Sequence, residues 1–492
     1  MLNKFFKKYW LLLVVLLIAS FLRLYKISDY MEFLGDQGRD VVIIKDFLKN
    51  GNLFFIGPQT SIGNMYLGPY FYYLIAPALF LSNYNPVGPA IFIALLSVAT
   101  VALIFFISKK WFNPKTAYIA AFLYAISPVV IKYSNFIWNP NIMPFFSLLF
   151  VYFFFEAFLS KKYQYFLYAS LAFIMVINSH YLGLALLPFT GLFWLFNLIK
   201  LSKNKSPELK PFIKFTLFAV LLFILSLTPQ ILFDIKHNGQ NIKALSNFFT
   251  YRETTVNIKA YKALPGLPAM FNQVNTDLLT GRDKTVGIII SIIFTLCLIP
   301  LLFKYKTQKY SFWIIFFWYL SGLVALALYK QHIYAHYFAF LFPSVFILAG
   351  FLINKFKLIG IPFFVLITIF SFINNPFRYQ PNSQLKTVNQ IADTIISNSN
   401  NQDFNFALLA KQNYDPPYRY VLATKQAKIV NLPDNLAEQL FVVCEPFQID
   451  CNPINNPEWS VAAFGWAKID QEWEISGIKI FKLIKNPDAP KD

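Results

Sequence analysis

Long apolar stretches alternate with short polar links along most of this chain, and lysines cluster in every second link. No other feature limits the possible folds as strongly. About 20 apolar residues wound as a helix cross the roughly 30 Å hydrocarbon layer of a bilayer. The first stretch runs over 9–25, and the others over 87–108, 116–132, 141–159, 164–179, 181–199, 211–233, 286–303, 311–329, 337–353 and 358–374. In hydrocarbon each backbone polar group must be satisfied within its own segment, so helices are expected throughout. Composition agrees: 57% of residues are hydrophobic and 14% charged, too apolar for an ordinary soluble domain. Phe (57) and Tyr (28) are abundant, as membrane-surface aromatic belts require.

The lysines set the sidedness. Lys4, Lys7 and Lys8 precede the first stretch; later clusters are Lys109–Lys110–Lys115, Lys161–Lys162, Lys200–Lys203–Lys205–Lys210, Lys304–Lys306–Lys309 and Lys355–Lys357. All fall on one side, the cytoplasmic one, if 68–77 does not cross. That segment is short, Tyr-rich and bracketed by Pro69 and Pro77, so an interfacial or re-entrant helix is expected. About eleven transmembrane helices follow, with a cytoplasmic N-terminus and loops 26–86, 133–140, 178–181, 234–285 and 330–336 outside. The first stretch reads as an uncleaved anchor, because Ile18-Ala19-Ser20 is followed by Phe21, Leu22 and Leu24. A plasma-membrane protein in contact with lipid is the implied class. The net charge of +19 sits in loop clusters rather than a patch, which excludes nucleic acid as a partner.

Near residue 376 the composition changes. Helical periodicity over 385–396 and 418–422, with strand-like runs at 404–409, 440–444, 459–464 and 478–483, predicts a small extracytoplasmic α/β domain. The division is therefore 1–375 in the membrane and 376–492 outside. No Gly-rich phosphate loop or nucleophile–His pairing is present there, so scaffolding or acceptor binding is its expected role. Cys444 and Cys451 can pair there or remain two thiols; Cys297 reads as packing.

Asp36 and Asp40 open the first long external loop. Carboxylates at the mouth of a membrane bundle are costly to desolvate and mark function. The alternative is that Asp36 caps a helix beginning near Val41; a cap accounts for one of these acids and not both.

Several residues together resemble a family. Asp36-Gln37 after the first span, Gly68-Pro69-Tyr70-Phe71-Tyr72-Tyr73 about thirty residues later, and His336-Tyr337 ahead of Pro343 resemble, in order and sidedness, the GT-C fold membrane glycosyltransferases of family 39. These are the protein mannosyltransferase-like and aminoarabinose transferase-like proteins. The resemblance covers about 1–375. It implies transfer, with inversion, of a monosaccharide from a polyprenyl-phosphate-linked donor to a protein, lipid or glycan acceptor on the outer face. The chain departs from the family at three points. Gln37 replaces a common Glu, Leu67-Gly68-Pro69-Tyr70 lacks the phosphate-binding Lys, and Ser134 to Asn141 lacks a second Asp.

That chemistry needs a base on the acceptor hydroxyl and cations on the departing phosphate. Asp36 is the expected base, with Asp40 a second, orienting or metal-binding acid. Arg39, Lys330, His332 and His336 are the expected phosphate ligands, and interfacial snorkelling is their alternative. Tyr70, Tyr73, Trp138, Asn139, Asn141 and His180 are expected to bind substrate; belt positions look the same in sequence. A divalent metal on Asp36, Asp40 and a histidine is possible, though no ligand spacing demands one. Two other classes compete: a transporter or flippase of lipid-linked sugars, which predicts ionisable groups at mid-depth, and a membrane scaffold.

Overall fold

The computed structural model describes residues 2–486 apart from 62, 258, 305–308, 447–448 and 450. All eleven apolar stretches are helical. In chain order the main helices are α1 (Leu2–Leu24), α2 (Gly35–Asn50), α3 (Tyr70–Leu81), α4 (Val87–Trp111), α5 (Pro114–Ile126), α6 (Pro128–Lys132), α7 (Met143–Leu159), α8 (Tyr165–Ser179) and α9 (Leu187–Lys203). There follow α10 (Leu209–Ser226), α11 (Thr228–Lys236), α12 (Gln240–Thr250), α13 (Leu267–Thr280), α14 (Lys284–Phe303), α15 (Tyr310–Leu328), α16 (Phe342–Lys355) and α17 (Lys357–Ile373).

Among the described residues, eight helical segments are long and apolar enough to cross a membrane, and the protein is multi-pass. The other three expected spans have visible differences. The first, α1, carries lysines at its start; 116–132 breaks between α5 and α6 at Ser127-Pro128; and α8 has 15 residues. With 12 residues, α3 rises about 18 Å, too little to cross.

Contacts divide the chain into two compact units, Met1–Tyr25 with Leu53–Ile75 and Ile91–Gln380, and Lys26–Asn52 with Ala76–Ala90 and Pro381–Asp492. In the first unit, small residues let helices approach, as they must where lipid supplies no hydrophobic drive. A Cβ at Gly350 of α16 would stand 2.9 Å from Ala120 of α5. The buried Arg23 takes up carbonyls left open at the break: Pro128 has no N–H to return to Tyr124 O, and Arg23 Nη2 donates there at 3.3 Å. Its Nη1 donates to Ala125 O (2.9 Å) and its Nε to Ser97 (2.8 Å). Glu156, the acid inside an apolar stretch, pairs with Lys110 at 2.7 Å and accepts from Trp111 Nε1.

In the second unit, α18 (Gln384–Asn398) and α19 (Pro416–Thr424) accompany a four-stranded sheet of order β1-β2-β4-β3. Its strands are β1 (Asn405–Leu409), β2 (Gln439–Cys444), β3 (Ala467–Ile475) and β4 (Ile478–Lys485). The pair β1–β2 is parallel, with Asn405 opposite Leu440, and the others are antiparallel. The core between layers is Ala407, Leu409, Leu440, Val442, Phe464, Phe481 and Leu483. Cys444 and Cys451 form a disulfide. One expected strand is a helical turn, α20 (Trp459–Ala462), where Ala462 N–H returns to Glu458 O and alanines favour helix. Strand β3 was hidden in the sequence because Lys468, Asp470, Gln471, Glu472 and Glu474 leave it little apolar alternation, as suits an exposed edge.

Candidate functional site

The first group of candidate side chains lies at the start of α2. Three successive N–H groups before and at the helix start are received by side-chain oxygens. Phe33 N–H donates to Gln384 Oε1 (2.7 Å), Leu34 N–H to Gln37 Oε1 (3.0 Å) and Gly35 N–H to Asn413 Oδ1 (2.9 Å). Gln37 thus does the capping, and Asp36 is not spent on it. Asp36, Arg39 and Asp40 share a helix face by their spacing of three and four. Arg39 Nη1 meets Asp36 Oδ1 at 2.9 Å, and its Nε and Nη2 meet Asp40 Oδ1 at 3.0 and 2.8 Å. The Asp36 side chain is 43% exposed and that of Asp40 0%. Asp36 can therefore meet a substrate, whereas Asp40 anchors the guanidinium from below.

A second group lies within the other unit. The loop after α6, the turn after α8 and the strand-like link after α15 converge in an aromatic and imidazole cluster. Trp138 lies 4.3 Å from His336 between ring centroids, His336 stacks with Tyr334 at 5.6 Å, and His180 lies 5.0 Å from Tyr337. His332 contacts Tyr334 at 4.4 Å. Asn139 Nδ2 donates to Ser179 O at 2.6 Å, tying two of the loops. His180 Nδ1 accepts from Leu182 N–H at 3.1 Å, and burial pushes its imidazole down to about 4, so it is neutral near pH 7. Beside this cluster, a cavity of about 720 Å³ is lined by His332, Tyr334, Tyr337, Lys243, Gln240 and Asn64 among others. Its α12 wall exposes Ile242, Leu245 and Phe249 on other positions, the pattern of a helix lying at an interface.

Three comparisons bear on this arrangement. Residues 67–228 match the family described as Dolichyl-phosphate-mannose-protein mannosyltransferase. The structure of ArnT from Cupriavidus metallidurans bound to undecaprenyl phosphate superimposes with a TM-score of 0.60 at 10% identity, over 98% of this chain and 99% of that one. The chain has the GT-C fold. The apo form of the same ArnT matches with a TM-score of 0.61 at 11% identity, over 97% and 98%. The archaeal oligosaccharyltransferase AglB from Archaeoglobus fulgidus, in complex with an inhibitory peptide and a dolichol-phosphate, gives 0.50 at 13% identity, over 89% and 70%. Curated protein sequences give no match.

On this GT-C fold most of the expected site residues fall into the two groups just described. Asp36, Arg39 and Asp40 lie together; Trp138, His180, His332 and His336 lie together. Tyr70 and Tyr73 are committed elsewhere: Tyr70 donates to Ser226 O at 2.9 Å, and Tyr73 accepts from Phe54 N–H at 2.9 Å and donates to Phe54 O at 3.1 Å. Asn141 Nδ2 donates to Phe136 O, and its buried Oδ1 has no partner among the described residues. Lys330 bonds Thr255 O through its backbone and does not line the cavity; Lys243 does. Among the described residues, no three His, Cys, Asp or Glu gather as a metal site. Arg39 is the cation that bridges Asp36 and Asp40.

Sequence reasoning missed the network beneath Gly68. A Cβ at Gly68 would stand 2.2 Å from Asn178 Oδ1, so the 68–70 backbone rests directly on α8. Tyr181 donates to Tyr66 O (2.8 Å), Asn241 Oδ1 accepts from Tyr66 N–H (2.7 Å), and Asp234 accepts from Asn241 and Ile242 N–H. An acid a few residues ahead of Gly239 and an amphipathic helix was the available signal.

Proposed function

We propose that this protein transfers a monosaccharide from a polyprenyl-phosphate-linked donor to a protein, lipid or glycan acceptor. The reaction takes place on the outer face of the plasma membrane, with the N-terminus cytoplasmic and the C-terminal domain extracytoplasmic. The observation that carries the reading is the exposed Asp36 carboxylate, left uncommitted to its helix cap, on a GT-C fold. The family match over 67–228 and the undecaprenyl phosphate and dolichol-phosphate named for the similar structures support it at a general level.

Asp36 takes the acceptor hydroxyl proton as that oxygen bonds the anomeric carbon. The bond from that carbon to the phosphate oxygen breaks, and the polyprenyl phosphate leaves with the electron pair. Arg39, oriented by Asp40, holds the Asp36 carboxylate in place. Lys243 and His332 on the cavity wall, with His336 and Lys330 beyond it, are by their own chemistry the proposed ligands of a phosphate. Trp138 faces the sugar, while Tyr70, Tyr73, Asn139, Asn141 and His180 shape the surrounding backbone. Residues 1–375 carry the chemistry and 376–492 serve the acceptor.

The test is transfer from radiolabelled polyprenyl-phosphate sugars by purified protein in detergent. Asp36→Asn is expected to lower turnover by about 10²–10⁴-fold with lipid binding retained. Equal turnover in both proteins overturns the role of Asp36. Tight donor binding without turnover by wild type points instead to a transporter of lipid-linked sugars.

A further inference from the structure

A second cavity, of about 470 Å³, lies wholly within the second unit and is lined by Phe33, Leu34, Gln384, Thr387, Tyr418 and Glu445 among others. Its size falls within the range of small-molecule sites. Two wall residues face two ways. Gln384 Oε1 accepts from Phe33 N–H, and one oxygen of Glu445, Oε1, accepts from both Asn413 Nδ2 (2.7 Å) and Tyr418 Oη (2.8 Å). Asn413 in turn accepts from Gly35 N–H, so the same amides and carboxylate that form the wall hold the loop carrying Asp36. Among the described residues, the other ends of these groups, Gln384 Nε2 and Glu445 Oε2, make no hydrogen bond, and neither does the Thr387 hydroxyl. None of these three atoms is sealed from solvent.

The wall thus offers a donor, an acceptor and a hydroxyl, flanked by aliphatic Leu34, Val388 and Ile478. Among the described residues, it contains a carboxylate and no Lys, Arg or His. An anionic ligand would face Glu445 without a countercharge, so a phosphate end is disfavoured. A sugar ring suits the set: its hydroxyls donate to the carboxylate and accept from the amide, and its C–H faces pack on the aliphatic groups. We infer that this cavity binds a neutral, hydroxyl-rich saccharide portion of the acceptor, and that its occupant rests on the residues that fix the Asp36 loop. The biological identity of that ligand rests on the glycosyl-transfer reading; the binding itself does not.

Maltotriose, mannotriose and chitotriose, titrated into the full-length protein in detergent and followed by saturation-transfer NMR, test the inference. Thr387→Val is the informative variant, because its hydroxyl holds nothing in the protein and the loop contacts remain. Saturable binding of at least one trisaccharide is expected, weakened about three- to tenfold by Thr387→Val and unchanged by Asp36→Asn. Binding to none of the three, binding indifferent to Thr387→Val, or preferential binding of triserine would each overturn it. If wild type turns over no donor yet binds trisaccharide in this Thr387-dependent way, the transfer reading fails and the saccharide site stands.

Discussion

His180 shows how much a single residue's meaning depends on what surrounds it. In sequence it is a histidine in an outward turn; in the fold its ring is packed against Tyr337 and its Nδ1 serves the backbone. Its folded pKa of about 4 lies below the ordinary 6.5, so between those values the unfolded chain binds the extra proton. Its contribution is intact above pH 6.5 and is lost as pH falls towards 4, by at most about 1.4 kcal/mol per pH unit. His180→Asn keeps a side-chain acceptor and removes the titration. Melting followed by tryptophan fluorescence at pH 7 and pH 4.5 is expected to show a smaller drop for the variant; equal drops would mean that the ring is not held neutral by the fold. At this scale Asp36 stood out as a candidate because acids are rare beside a span. The anchoring role of Asp40 and the capping role of Gln37 were not legible, since both depend on where Arg39 and Leu34 N–H come to lie.

Helix α2 carries the proposed base and is fixed by contacts far along the chain. A Cβ on Gly38 would stand 2.3 Å from Pro417 N, and one on Gly35 2.3 Å from the Tyr414 ring. Pro417 presents backbone, which cannot turn aside, so Gly38→Ala forces α2 away from α19. We expect Gly38→Ala to cost about 1–3 kcal/mol in stability and to reduce transfer by shifting Asp36. Gly191→Ala, where no atom lies within 4 Å, serves as the control and is expected to melt at or slightly above wild type. Wild-type melting and turnover in Gly38→Ala would show that α2 has room to spare. Elements with strong periodicity, such as α18 and β2, were readable from local pattern. The edge strand β3 and the turn α20 were not, because one hides its alternation in charges and the other is apolar on several positions without a strand's partner.

The lysine rhythm that opens the sequence has a consequence for the whole molecule. Between Ser202, set among Lys200, Lys203 and Lys205, and Ser397 on α18, five segments are long and apolar enough to cross: Leu209–Lys236, Lys284–Phe303, Tyr310–Leu328, Ala335–Lys355 and Lys357–Arg378. Five is odd, so if all five cross, the two serines lie on opposite faces, and the positive-inside rule predicts that Ser202 is cytoplasmic. Both serines are exposed. The native chain offers a quiet background for a thiol label, since Cys297 is buried and Cys444 is joined to Cys451. Ser397→Cys is therefore expected to react with a membrane-impermeant maleimide in intact cells, and Ser202→Cys only after permeabilisation. The reverse pattern would mean that the orientation is inverted, as it would be if 68–77 crossed after all and shifted every later lysine cluster outward. Reaction of both before permeabilisation would mean that the segment between them crosses an even number of times, and one of the five would have to lie along the membrane rather than through it.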